Sequence, residues 1–298
     1  MNNQAAPIRN TVISVRVDDG AVQAIDLLVR AGLAQSRSEA AAQFVAMGIA
    51  SAAELLVRAN RLADHLQQLK SELLAAIRAQ DVMTAREVLE RDPELLRGWG
   101  RADESGGVTP VLLSVYAGAT ELTQLLIERG AETDVFEATA IGDVNRVRQL
   151  LDADPGLIGA RSHDGWTPLH MAAYFGHADV AQLLLERGAS LTARSANELG
   201  NTPLHSALAG RRYELVELLG RSGADVNALN ARGWAPLHHA ACTGNAVVVE
   251  WLLQNGAQPS PANRDGLTPG QLARERGYGD IADRLERAEG RPTETAGA

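Results

Sequence analysis

Cysteine is almost missing from this sequence. Cys242 stands alone among 298 residues, which excludes an intramolecular disulfide and a cysteine-rich zinc site. Aromatic residues make up only 4% of the chain, so alanine and leucine must supply most of any core. Lys70 is the single lysine among 28 basic residues, a usage bias from which no function follows. No run of about 18 apolar residues occurs, which argues against a membrane-spanning helix. The opening Met1-Asn2-Asn3-Gln4 lacks a charged segment followed by an apolar leader core, so a cytoplasmic location is expected. Phosphate-cradling loops of the Gly-x-x-x-x-Gly-Lys type, Gly-x-Ser-x-Gly elbows and His-Glu-x-x-His segments are all absent. The expectation is a protein that is not an enzyme and has no catalytic residue, metal ligand or cofactor.

Positive charge is in short supply as well. The formal net charge is −9, which excludes a protein that coats nucleic acid with its whole surface. The balance is uneven: residues 1–70 carry +1 and residues 71–298 carry −10. That split suggests two parts with different partners.

What the chain does have is a recurring phrase. Thr167-Pro168-Leu169-His170 returns as Thr202-Pro203-Leu204-His205, Ala235-Pro236-Leu237-His238 and Thr268-Pro269-Gly270-Gln271. The prolines lie 35, 33 and 33 residues apart, a period that marks a stacked repeat array. Threonine before proline is a helix start, with a hydroxyl to cap a free N–H and proline in the tolerant first position. Small residues follow, such as Ala172-Ala173 and Ala240-Ala241. A glycine, Gly176 or Gly244, permits the turn into a second helix bearing Leu183-Leu184, Leu218-Leu219 or Leu252-Leu253. Asp164-Gly165 and Asp265-Gly266 are turn dipeptides leading to the next start.

The run Asp164-Gly165-Trp166-Thr167-Pro168-Leu169-His170-Met171-Ala172-Ala173 closely resembles the signature of the ankyrin repeat. The resemblance covers roughly residues 71–288 and implies about seven units, each a finger and two antiparallel helices. The first units are divergent: Thr109-Pro110-Val111-Leu112 lacks the histidine, and residues 135–162 lack Thr-Pro. Gln271, Arg274, Glu275 and Arg276 make the last unit polar, as a capping repeat must be. The family's pattern implies that His170, His205 and His238 tether backbone between units. Neighbouring helices lie about 10 Å apart, too far for these histidines to share one metal ion. At Gly210-Arg211-Arg212, Arg211 falls at the glycine position of the turn; the expected solution is a turn shifted onto Gly210, with a locally irregular repeat as the alternative.

By the same pattern, the exposed face would present Trp166, Met171, Tyr174 and Phe175, then Asn201, then Trp234, His239 and Thr243. Aromatic anchors dominate interface energetics, so this set is the expected protein-binding surface, with packing of Trp166, Tyr174 and Phe175 against adjacent fingers as the alternative.

Residues 11–49 read differently. Ile13, Val15 and Val17 alternate with polar residues as in a strand, Val22, Ile25, Leu28 and Val29 follow at helical spacing, and Ser36-Arg37-Ser38-Glu39 opens a second helix. This order resembles the ribbon-helix-helix fold of small bacterial repressors. The resemblance implies a homodimer, and DNA contact through Val12, Ser14 and Arg16, with Ser36, Arg37 and Ser38 on a phosphate. A module used for dimerisation alone stays open beside it. Between the two parts, residues 50–74 read as a helical linker. Leu55, Ala59, Leu62, Leu66, Leu69 and Leu73 alternate by four and three, as in a coiled coil or a helix packed on the first repeat. Residues 1–10 and 289–298 are expected to be disordered.

The expected fold class is therefore mostly α: an ankyrin-repeat solenoid behind a small strand-helix-helix module and a helical linker. The expected function is a scaffold that binds a partner protein through its concave face and fingers. The alternative is a DNA-binding regulator whose array senses an effector.

Overall fold

Short threonine-capped segments of seven to nine residues bury little surface alone, so each must pack against the next. The computed structural model describes Val22, Ile25, Asp26, residues 35–97, Trp99 and residues 108–290. They fall into two compact units, divided between Gln68 and Leu69. The boundary lies inside helix α1 (Arg37–Arg78), which pairs through its last turns with α2 (Val82–Arg91). Six further pairs follow: α3 (Pro110–Tyr116) with α4 (Thr120–Glu128), α5 (Val135–Ile141) with α6 (Val144–Ala153), and α7 (Pro168–Phe175) with α8 (Ala178–Glu186). Then come α9 (Pro203–Ala209) with α10 (Tyr213–Arg221), α11 (Pro236–Cys242) with α12 (Ala246–Gln254), and α13 (Pro269–Glu275) with α14 (Gly279–Glu289).

Five of the first helices begin on the proline of the repeated phrase. Thr109 and Thr268 cap theirs through the Leu112 and Gln271 N–H groups. The unit without Thr-Pro solves the same problem with carboxylates. Asp134 accepts from the Phe136 and Glu137 N–H groups, and Glu137 accepts from the Asp134 N–H. Ala172, Ala173, Ala207, Ala240, Ala241 and Ala273 are fully buried, where the first helices press together. The leucines of the second helices, with Leu169, Leu204 and Leu237, complete a continuous core from Ala138 to Leu285.

The N-terminal expectations fare differently. The strand at Ile13–Val17 lies outside the described residues, and among those described there is no strand. The helix opened by Ser36 does not stop near Ile49; it continues unbroken to Arg78. Of the leucine stripe along it, Leu69 and Leu73 are buried in the array, whereas Leu62 is 60% exposed. The second compact unit begins at Leu69. At the other end, α14 extends to Glu289.

The turn at Gly210 corrects a second expectation. It does not shift: Gly210 stays right-handed at φ −76°, and Arg211 itself takes φ +56°, where other units place glycine. A side chain in this left-handed region costs about 1 kcal/mol. Arg211→Gly is expected to stabilise the array by about 0.5 kcal/mol, since glycine's greater unfolded-state freedom takes back part of the gain. A lower urea midpoint in the variant would contradict this.

Candidate partner-binding face

Each finger is closed by the same backbone bond, from Ser162 to Trp166 (2.8 Å), Ser195 to Asn201 (2.8 Å), Asn230 to Trp234 (2.9 Å) and Asn263 to Leu267 (3.0 Å). Adjacent fingers are joined by Ala196 N–H to Gly165 C=O (2.8 Å), Ala231 to Leu199 (2.8 Å) and Arg264 to Arg232 (3.0 Å). Two arginines staple the row. Arg161 donates to the Gly165 and Arg194 carbonyls (3.0 and 2.7 Å), and Arg194 to those of Gly200 and Leu229 (3.2 and 2.6 Å).

Beneath the fingers, histidines tie each first helix to the next unit. His170 Nδ1 accepts from the Thr167 N–H (3.3 Å), which leaves the Nε2 proton to donate to the Asn201 carbonyl (2.8 Å). His205 repeats this between the Thr202 N–H (3.3 Å) and the Trp234 carbonyl (2.9 Å). Burial pushes both imidazoles down to about 4, so they are neutral tethers at neutral pH. The third is looser. His238 Nδ1 accepts from the Ala235 N–H (3.0 Å), but its buried Nε2 makes no hydrogen bond.

This frame holds a chain of aromatic rings at the surface. Trp166 meets Tyr174 edge-on at 5.0 Å, Tyr174 meets Phe175 at 5.2 Å, and Phe175 meets Tyr116 at 5.8 Å. Tyr116 arrives from α3, two units upstream, and donates to Asp164 Oδ2 (2.7 Å). Burial, then that bond, raises the phenol well above its ordinary range, so it stays a donor. A second cluster lies two units on, where Trp234 packs against His239 at 5.0 Å and His239 against His205 at 5.6 Å. Between the clusters α9 contributes only small groups, with Ala209 exposed and Gly210 half-buried.

A profile described as "Ankyrin repeats (3 copies)" matches residues 135–230 and 218–291, just over half of the chain. The chain belongs to the ankyrin-repeat family. Its ankyrin units are 43% identical over 81 residues to the serine/threonine-protein kinase VIK of Arabidopsis thaliana, covering 27% of this chain and 18% of that protein. They are 30% identical over 177 residues to the putative E3 ubiquitin-protein ligase XBAT31 of the same plant, covering 52% and 38%. They are 29% identical over 135 residues to the NF-kappa-B inhibitor cactus of Drosophila yakuba, covering 42% and 26%. The chain thus spans well under half the length of these relatives.

Within the ankyrin frame, the expected face divides. Trp166, Tyr174, Phe175 and Trp234 are half-buried, each with ring surface left in solvent. Met171 is 0% exposed and cannot touch a partner, because it packs with Leu112, Val135 and Phe136 from the two preceding units. Asn201 is 7% exposed and is spent inside the array, its side-chain oxygen accepting from Asn230 Nδ2 (2.9 Å). The Thr243 hydroxyl caps its own helix at the His239 carbonyl (3.0 Å). His239 walls the second cluster with its Nε2 buried and unpartnered, and burial holds it down at about 3.

Val12, Ser14 and Arg16 lie outside the described residues. Of the other residues assigned to DNA, Ser36 accepts from the Glu39 N–H (3.2 Å), and Arg37 pairs with Asp26. Sequence reasoning missed Tyr116, although it lies six residues after Pro110, just as Tyr174 lies six after Pro168. It also missed the stapling arginines, whose targets are backbone atoms and leave no pattern in side-chain spacing.

Proposed function

We propose that this chain is a non-enzymatic binding module that captures a partner protein on the face formed by the fingers and first helices. The observation that carries the reading is the placement of aromatics. Five of the chain's eleven aromatic residues, Tyr116, Trp166, Tyr174, Phe175 and Trp234, gather on this face, and none is fully buried. In a chain so poor in aromatics, leaving five half in water fits a surface whose burial awaits a partner. The repeated histidines support the non-enzymatic half: they are tied to backbone and held neutral, so they offer no mobile base. A relative named as an inhibitor of another protein, cactus, is consistent with capture by a repeat array.

Trp166→Ala combined with Trp234→Ala tests the reading. The double variant is expected to fold and to lose at least about tenfold in partner affinity, since each anchor contributes about 1–2 kcal/mol or more. Capture by the variant equal to that of the wild type, in a calorimetric titration, would sink it.

A further inference from the structure

Charge is segregated across the last four units. From residue 161 to 290, the fingers, first helices and the turns after them (161–177, 194–212, 230–245 and 263–278) hold eight arginines and four carboxylates. The second helices and their following loops hold four arginines and ten carboxylates. In a chain of net charge −9, these four units therefore turn a positive side toward the aromatic rings they carry.

Part of that positive charge is already used. Arg274 pairs with Asp283 and Glu286, and Arg161 and Arg194 each hold two backbone carbonyls, whereas Arg212 binds one through Nε. Arg211, Arg212 and Arg232 are exposed, and none has a carboxylate partner among the described residues. Arg212 lies directly against the first cluster, its Nε donating to the Tyr174 carbonyl (3.2 Å) and its stem packed over Gly176. Arg211 precedes it, held in a left-handed conformation. Arg232 sits on the fingertip next to Trp234. The arginines thus flank both aromatic clusters and the small-residue saddle between them.

We infer that the occupant of this face is an acidic segment of a partner protein, bound in extended form, with apolar side chains at its two ends. Its apolar groups stack on Trp166–Tyr174–Phe175 and on Trp234–His239, and its carboxylates meet Arg211, Arg212 and Arg232. The clusters are two units apart, about 20 Å at the usual helix spacing. About six extended residues cover that span. Ala209, small and exposed, leaves room for backbone to cross. Arginine suits the task because its planar fork accepts a carboxylate in two parallel bonds. The inference rests on the proposed use of this face and adds the chemistry of what fills it.

A random dodecapeptide display library, selected on the full-length chain, tests both and keeps them apart. Selected peptides are expected to carry a net negative charge and aromatic or leucine residues. They should bind the Trp166→Ala/Trp234→Ala variant at least about tenfold more weakly, as loss of central anchors implies. Arg211→Glu with Arg212→Glu should weaken them by a similar factor, shift selection toward basic peptides, and remove most of the salt dependence. Should that pair fail to fold by circular dichroism, Arg232→Glu on its exposed fingertip serves instead. Winners that are neutral or basic, yet still lost on the tryptophan variant, overturn the acidic occupant and leave the binding face standing. Winners indifferent to the tryptophans, or no winners at all, overturn both.

Discussion

Acidified from about pH 7 to about pH 4, the array will lose most of its stability, and the loss will begin near pH 6.5, above the range where carboxylates titrate. His170 and His205 have folded values near 4 and His239 near 3, against an ordinary value of 6.5. The direction follows from linkage. A histidine held neutral in the folded state takes up its proton preferentially on unfolding, so its stabilisation is complete above 6.5 and falls as pH drops toward the folded value. Each such group costs on the order of 1 kcal/mol per pH unit across that window. Three of them over two units approach the whole stability of an ordinary domain, about 5–15 kcal/mol. Asp81, lowered by its bonds to Thr84, acts only below its ordinary 3.8 and does not blur the window. Thermal melting at a series of pH values measures the effect. His170→Gln with His205→Gln should melt lower than the wild type at neutral pH, for want of its tethers, but with a flatter pH profile. A wild-type melting temperature that holds steady from about pH 7 to about pH 4.5 would rule this account out.

That sensitivity is a consequence of how the units are coupled. Apart from Tyr116 and Leu112, which reach across two units to Phe175 and Met171, each unit of this array touches its neighbours, so the bonds between units carry the cooperativity of the whole array. Those bonds are of three kinds: buried apolar contact between first helices, the histidine tethers, and the finger row with its two arginine staples. His238 is the loosest of the three tethers, just before the last unit, whose polar first helix is suited to end the stack.

The register of the array was readable from Thr-Pro-Leu-His because helix starts are decided locally, by a cap and a fixed φ within four residues. The packing of the glycine turn was not. Gly210 reads as the natural left-handed residue, yet Arg211 takes that conformation and Gly210 is required for another contact. The aromatic face was half readable for the same reason. Trp166 and Trp234 sit on fingers whose hairpin bond fixes them locally. Whether Met171 faces water depends on Phe136, in a unit 35 residues upstream that carries no finger and no Thr-Pro. Asn201 resembles a polar surface residue, but its partners Asn230 and His170 each lie about 30 residues away. Burial that depends on the neighbouring unit leaves no trace in the spacing of a single one.

Gly210→Ala is expected to be the most damaging single substitution in this part of the chain, and the cause is contact rather than backbone conformation. Its φ of −76° suits any residue. An added methyl would overlap the Tyr174 carbonyl oxygen and lie 2.9 Å from the carbonyl carbon. Both atoms belong to the end of α7, where the backbone has no rotamer to yield, so the two first helices must separate. Overpacking against fixed atoms costs about 1–3 kcal/mol, and more when backbone must move. Gly188 provides the comparison. It takes φ +88° with nothing within 4 Å of the added carbon, so Gly188→Ala incurs only the left-handed penalty of about 1 kcal/mol. Separation of α7 from α9 would also strain the Arg212 bond to Tyr174 and the His170 tether. Because α9 is joined to the units before it mainly through α7, Gly210→Ala should split the single urea transition into two, with residues before and after the break unfolding apart. Gly188→Ala should move one transition without dividing it. A Gly210→Ala midpoint no lower than that of Gly188→Ala would show that α7 and α9 have room to part without loss, and that the close approach at Tyr174 is not what joins the two halves.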